Sequence, residues 1–164
     1  MVPNKIFLTK GVGKHLEKLE SFEAALRDAG IAKYNLVRVS SILPPGCEII
    51  ETERKEGLLK PGEITYCVLS DLGSNEPNRL LSASIGIAIP ADPQAYGYLS
   101  EHHAFGQSER VAGEYAEDLA ASMLASILGL EFDPDASWNE KKQIWQLQGK
   151  IVKTRNTTIT ATVG

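Results

Sequence analysis

The chain has 164 residues and a mass of 17.8 kDa, close to the size of one ordinary domain. Hydrophobic residues make up 43% and charged residues 23%, which excludes a disordered, collagen-like or coiled-coil chain. Lys and Arg total 17 against 21 Asp and Glu, a net charge of −4 with a pI near 5.4, so no nucleic-acid-binding surface is expected across the domain.

Asn4–Thr9 reads as an opening strand, ended by Gly11-Val12-Gly13. Leu16, Leu19, Phe22, Leu26 and Ala29 then recur at helical spacing, and Gly30 stands where a terminating glycine belongs. Asn35–Ser40 is a β-branched run and so a strand. It is broken at Pro44-Pro45-Gly46, where two φ angles are locked and two N–H groups are missing. Strands are expected next over Glu48–Thr52, Glu63–Leu69, Leu80–Ile89 and Tyr96–His102. Ser108–Leu128 is the clearest helix: Ser108 caps it, Gly129 ends it, and its apolar stripe is Ala112, Tyr115, Ala116, Leu119, Met123 and Ile127. Lys150–Val163, rich in Thr and Val, is a last strand. Two long helices and about six strands imply an α+β fold in one domain, a layered αββα sandwich in which helices cover the sheets' apolar faces.

Several motifs fail on inspection. Gly11-Val12-Gly13-Lys14 begins like a phosphate loop, but Leu16 stands where GxGxxG needs glycine, and no GxxxxGK[ST] or GxSxG follows. Cys47 and Cys67 are too few for a disulfide framework and too far apart for a CxxC unit. Glu101-His102-His103 offers metal-ligand types, yet neighbours on a strand point to opposite faces, so no metal is expected and a solvated strand end is the simpler reading. Asn156-Thr157-Thr158 matches a glycosylation sequon, but the opening residues carry no signal-peptide core, so it reads as strand. Trp138 and Trp145 fit helical packing better than base stacking. No apolar run approaches the ~18 residues of a membrane span. The expectation is a soluble cytoplasmic protein with neither membrane nor nucleic acid as partner.

What remains is Asn35-Leu36-Val37-Arg38-Val39-Ser40-Ser41-Ile42-Leu43-Pro44-Pro45. Taken alone, it is a strand ending at two serines before a proline turn. Together with the upstream AAL-x-x-AGI, Leu80–Pro90 (LLSASIGIAIP) and Gly97–Glu101 (GYLSE), it resembles the pyruvoyl-dependent arginine decarboxylases, over about two thirds of the chain. The resemblance implies self-cleavage between Ser40 and Ser41: the Ser41 hydroxyl attacks the preceding carbonyl, and β-elimination and hydrolysis turn Ser41 into a pyruvoyl group. Residues 1–40 would become the β chain and 41–164 the α chain. The stiff Pro44-Pro45 would hold the scissile bond in a reactive geometry, a claim that needs a backbone outlier to support it.

In such enzymes the pyruvoyl ketone forms a Schiff base with the substrate amine and takes up the electrons left as CO2 departs. Glu101 aligns with the family's proton donor, a role helped by a buried, raised-pKa carboxyl. Asn35 aligns with an asparagine that helps processing and hydrogen-bonds the pyruvoyl. Six extended residues span ~20 Å, so Asn35 cannot reach Ser41 of its own chain. Trimers with active sites between subunits, as the resemblance implies, answer that distance. Glu23 falls where the family has an aspartate that binds the substrate guanidinium; being one methylene longer, it leaves lysine or ornithine open as substrates besides arginine. An unprocessed, non-catalytic structural or regulatory paralogue is the alternative from another class.

Overall fold

The computed structural model describes residues 1–130 and 151–164, with side chains described from residue 153 in the second segment. Trp138 and Trp145, and the start of the last expected strand at Lys150, lie outside the described residues. In chain order the elements are β1 (Lys5–Phe7), α1 (Lys18–Asp28), β2 (Asn35–Arg38), β3 (Ile42–Leu43), β4 (Glu48–Ile50), a 3-10 turn (Thr52–Lys55), β5 (Ile64–Cys67), β6 (Leu80–Pro90), β7 (Gly97–Phe105), α2 (Glu109–Ile127) and β8 (Ile151–Thr162). Helix and strand are mixed, so the fold is α+β.

Three sheets form. β1 pairs with β4 in parallel, β2 pairs with β5 in parallel, and β3-β7-β6-β8 make a four-stranded antiparallel sheet. α2 lies on one face of the large sheet, where the two surfaces carry small side chains. Ser82, Ser84 and Ala88 of β6 and Ser100 of β7 meet Ala112, Ala116 and Ala120. A Cβ on Gly86 would drive into the Ala116 carbonyl. The buried hydroxyls are all satisfied: Ser100 Oγ donates to the Ala116 carbonyl and Ser84 Oγ shares a 2.7 Å bond with Thr158 Oγ1. Among the described residues no buried side-chain polar atom lacks a partner.

The closeness of this contact corrects the expected stripe of α2. Leu124 is buried beside the alanines, whereas Tyr115 and Ile127 are 49% and 45% exposed. A sheet surface of Ser, Gly and Ala leaves no room for large side chains beneath a helix, so they turn outward. The opposite face of the sheet is bulkier. Leu43, Ile87 and Leu99 form a buried cluster with Ile6, Leu8, Cys47, Ile49 and Val68 packed against it. A third cluster of Ala29, Ile31 and Tyr34 joins Phe7, Leu26 and Leu36.

Both helices end as expected. The Ile31 N–H bonds the Leu26 carbonyl and the Gly30 N–H the Arg27 carbonyl, with Gly30 at φ +72°; Leu130, Gly129, Ala125 and Ser126 repeat the arrangement, with Gly129 at φ +67°. Helix α1 begins later than its apolar spacing suggests, and Leu16 and Leu19 stay exposed. The Gly11–Gly13 segment is a close-packing device, because a Cβ at either glycine would collide with the backbone of α1.

The α2 contact gives a direct stability test. Gly86→Ala should lower the unfolding free energy by about 2–3 kcal/mol, since an inserted methyl meets helix backbone that cannot yield. Gly73→Ala, with open space around it and no left-handed φ, should change it by less than about 0.5 kcal/mol. Denaturant unfolding of both variants distinguishes the two.

Candidate active site

The strand expected over Asn35–Ser40 is β2, which ends at Arg38, and the chain beyond it enters a different sheet at β3. β2 pairs with β5, and the pairing continues one residue past its end through the Val39 N–H to the Cys67 carbonyl, 2.9 Å. Two residues later the chain is in the other sheet: the Ser41 carbonyl accepts from the Leu99 N–H at 2.7 Å, and Ile42 and Leu43 pair with Tyr98 and Gly97 of β7. The Ser40–Ser41 peptide is therefore the crossing between two ladders. Ser40 is exposed and Ser41 half-buried. Downstream, Pro44 to Cys47 form a turn closed by the Cys47 N–H on the Pro44 carbonyl, with Gly46 at φ +64°. No residue from 40 to 45 has a positive φ, so the strain expected of Pro44-Pro45 has no backbone outlier behind it. The prolines shape the turn.

β7 carries Glu101. Ser100 reaches the α2 backbone and the His102 ring lies 4.4 Å from Tyr115 of α2, so Leu99, Glu101 and His103 occupy the other face. Ser41 sits opposite Leu99, and Glu101 is two residues farther along the same face, ~7 Å. Register thus sets Ser41 and Glu101 on one face of the sheet, two positions apart. Glu101 is exposed in the single chain, contrary to its expected burial. The strand runs on to Phe105, so the Glu101-His102-His103 run is mid-strand and not a solvated end. His102 Nε2 bonds Gln107 Oε1 at 2.8 Å. No group of metal-ligating side chains occurs among the described residues.

Three further residues belong to this neighbourhood. Arg38 and Cys67 are register partners in β2 and β5. Arg38 Nη2 lies 2.5 Å from Asp71 Oδ1, on the segment after β5. That segment is tied to β7 by Ser70 Oγ donating to the His102 carbonyl at 2.7 Å. Burial pushes the Cys67 thiol up from its ordinary value; the Arg38 cation pulls it down and the Glu101 carboxylate raises it further. Arg38 and Glu101 thus act in opposite directions on one thiol, whose own backbone carbonyl holds Val39. Their signal in sequence was weak: Arg38 lies inside the motif, but Cys67 and Asp71 are near it only through strand pairing.

Asn35 and Glu23 are not brought to Ser41. Asn35 Nδ2 donates to the Gly62 carbonyl at 2.6 Å, at the far end of an extended strand. Glu23, exposed on α1, is paired through both carboxylate oxygens with the guanidinium of Arg27 one turn on.

With this geometry in place, the similarity to known proteins is specific. The family model for pyruvoyl-dependent arginine decarboxylase matches residues 5–163, well beyond the two thirds that carry the recognisable motifs. A probable pyruvoyl-dependent arginine decarboxylase of Chlorobium phaeovibrioides is 59% identical over 160 residues, covering 98% of this chain and 88% of that protein. The pyruvoyl-dependent arginine decarboxylase of Methanococcoides burtonii is 57% identical over 156 residues, 94% of this chain and 86% of the relative. A second such protein, from Methanosarcina mazei, is 55% identical over 154 residues, 94% and 84%. The chain belongs to the pyruvoyl-dependent arginine decarboxylase family.

The charge cluster has a measurable consequence. Thiolate, not thiol, is alkylated, and the raised pKa places the rise of the Cys67 alkylation rate above the ordinary value of 9.0. In a Cys47→Ala background, Arg38→Gln should move that rise to higher pH and Glu101→Gln to lower pH. An unmoved profile in both variants would show that neither charge stands near the thiol.

Proposed function

We propose that the chain is a self-processing pyruvoyl-dependent carboxy-lyase that converts L-arginine to agmatine and CO2. The observation that carries the reading is the placement of Ser40–Ser41 at the crossing between two ladders, with Glu101 two residues beyond Ser41's partner on β7. The family to which the chain belongs supplies the cofactor and the substrate class.

The residues present suit the formation of a pyruvoyl group from Ser41. The Leu99 N–H holds the Ser41 carbonyl on one side and the Cys67 carbonyl holds Val39 on the other, leaving the peptide between them outside regular pairing. The Ser41 hydroxyl attacks the Ser40 carbonyl carbon, its proton passes to the amide nitrogen, and the C–N bond breaks to give an ester. Loss of the Ser41 α-proton and of the Cβ–Oγ bond frees a Ser40 carboxylate and leaves dehydroalanine. Water then replaces its nitrogen, which leaves as ammonia. The products are a β chain of residues 1–40 and an α chain of residues 41–164, folded together as one layered αββα domain.

A pyruvoyl group at position 41 would supply an electrophilic ketone for the substrate's α-amine and a sink for the electron pair released with CO2. Glu101 delivers the proton to the α-carbon. Glu23 takes the substrate guanidinium, a reading supported by its present pairing with the guanidinium of Arg27 through both oxygens. Asn35 supports processing and the pyruvoyl group of a neighbouring subunit, because the extended β2 carries it away from its own Ser41. The assembly that answers this distance is a homotrimer of αβ protomers with intersubunit sites. Val37, Val39, Ile64 and Tyr66, exposed on β2, β5 and their ends, supply apolar surface for such contacts. No described helix is long and apolar enough to cross a membrane, in keeping with action in the cytoplasm.

Intact mass spectrometry should find two chains cut between Ser40 and Ser41, with a blocked α-chain N-terminus; Ser41→Ala should remain one inactive chain. Glu101→Gln should cleave but lose about 10²–10⁴-fold in turnover, the usual worth of a general acid. Glu23→Ala should raise the KM for arginine by about tenfold or more, as expected for the loss of a charged hydrogen-bond pair. Assays with arginine, lysine and ornithine side by side should show CO2 release from arginine foremost. A stable full-length chain in the unmodified protein would overturn the reading.

A further inference from the structure

Cleavage between Ser40 and Ser41 creates a charge where the intact chain has none. The Ser40 carbonyl, neutral in the peptide, becomes a carboxylate at the end of the β chain. The strand and segment next to this crossing carry two acids, Glu101 two residues beyond Leu99 on β7 and Asp71 after the Ser70 bond to the His102 carbonyl, so a cation there would offset like charge.

Between Asn35 and Cys47 the sequence holds one cation, Arg38. We propose that Arg38 is the anchor of the cut β-chain end: on processing, its guanidinium exchanges Asp71 for the new Ser40 carboxylate and holds that terminus beside the site. The inference rests on the self-cleavage reading given above. The geometry allows it on reach, because Ser40 is two residues after Arg38 and the chain leaves β2 with Val39 still bonded to Cys67. Two residues rise ~7 Å, about the reach of an arginine side chain. The backbone up to Val39 is already fixed by its bond to Cys67, leaving only the last residue to be placed. The present partner is also replaceable. The Arg38–Asp71 pair has side chains 57% and 46% exposed, and pairs so solvated are held weakly. That the Cys67 thiol registers both Arg38 and Glu101 agrees with the guanidinium standing at the crossing. Arg38 is thus a positioning residue: it keeps the cut end from fraying across the site without touching the substrate.

The test uses the full-length protein after it has processed itself, digested in its folded state with a serine carboxypeptidase that removes Ser40 and then Val39. Intact mass reports first whether cleavage occurred and then how fast the β chain is trimmed. The unmodified protein should resist. Arg38→Gln should be trimmed about tenfold faster or more, as loss of one charged hydrogen bond implies, and Arg38→Lys should fall between. Asp71→Asn, which removes only the competitor, should stay as resistant as the unmodified protein. A cleaved Arg38→Gln β chain as resistant as the unmodified one would overturn the proposal, as would rapid trimming of Asp71→Asn. If Arg38→Gln does not fold, the Lys and Asn variants still decide. Absence of any cleavage in the unmodified protein would instead fail the self-processing reading.

Discussion

β7 is held between β3 and β6 in one antiparallel register, and the remaining features of the site depend on it. Ile87 opposite Leu99 and Gly86 opposite Ser100 set that register from the β6 side. Leu99 must be in the apolar cluster with Leu43, while Ser100 must reach the Ala116 carbonyl. A slip of one residue would send every side chain of β7 to the wrong face. It would bury Glu101 under α2 and put the His102 ring beside Ser41. The side-chain requirements of the two faces therefore put Glu101 on the face that Leu99, the partner of Ser41, also occupies.

The contact that enforces this is made of small residues. Large apolar side chains pack adaptably, but Ser, Gly and Ala bring helix backbone against strand backbone with little slack. Each serine there also needs its hydroxyl partner, so displacement costs hydrogen bonds as well as packing. The rigid face lies behind the site, and the chemistry faces the other way. There the chain steps between sheets at Ser40–Ser41, where neither ladder takes up the peptide.

This arrangement also bears on the proposed self-processing, which requires a chain that is stable before it is cut. The residues on either side of the bond are fixed by Val39 on Cys67 and by Ser41 on Leu99. In the proposed self-processing, cleavage would remove one covalent link between two ladders that are otherwise intact, and each cut end would retain a backbone hydrogen bond beside it. The change would be electrostatic more than mechanical, since a carboxylate would arise two residues after Arg38.

Much was legible in sequence because it is local. The glycines ending both helices, the Ser108 cap, the proline turn and the long runs of β6 and β7 depend on neighbours a few residues away. The motif from Asn35 to Pro45 likewise lies in one stretch, enough to identify the family and the serine pair. Which face of α2 is buried was not legible, because the small residues of β6 decide it against the larger side chains of the helix itself. The sheet switch at Ser40, with β3 only two residues long, escapes any periodicity. The grouping of Arg38, Cys67, Asp71 and Glu101 depends on which strands pair and in what register. The sequence by itself determined the local elements, the family and the serine pair at residues 40 and 41, since each is written in adjacent residues. The tertiary structure alone decided what stands beside that bond, because strand register is the outcome of packing on two faces at once.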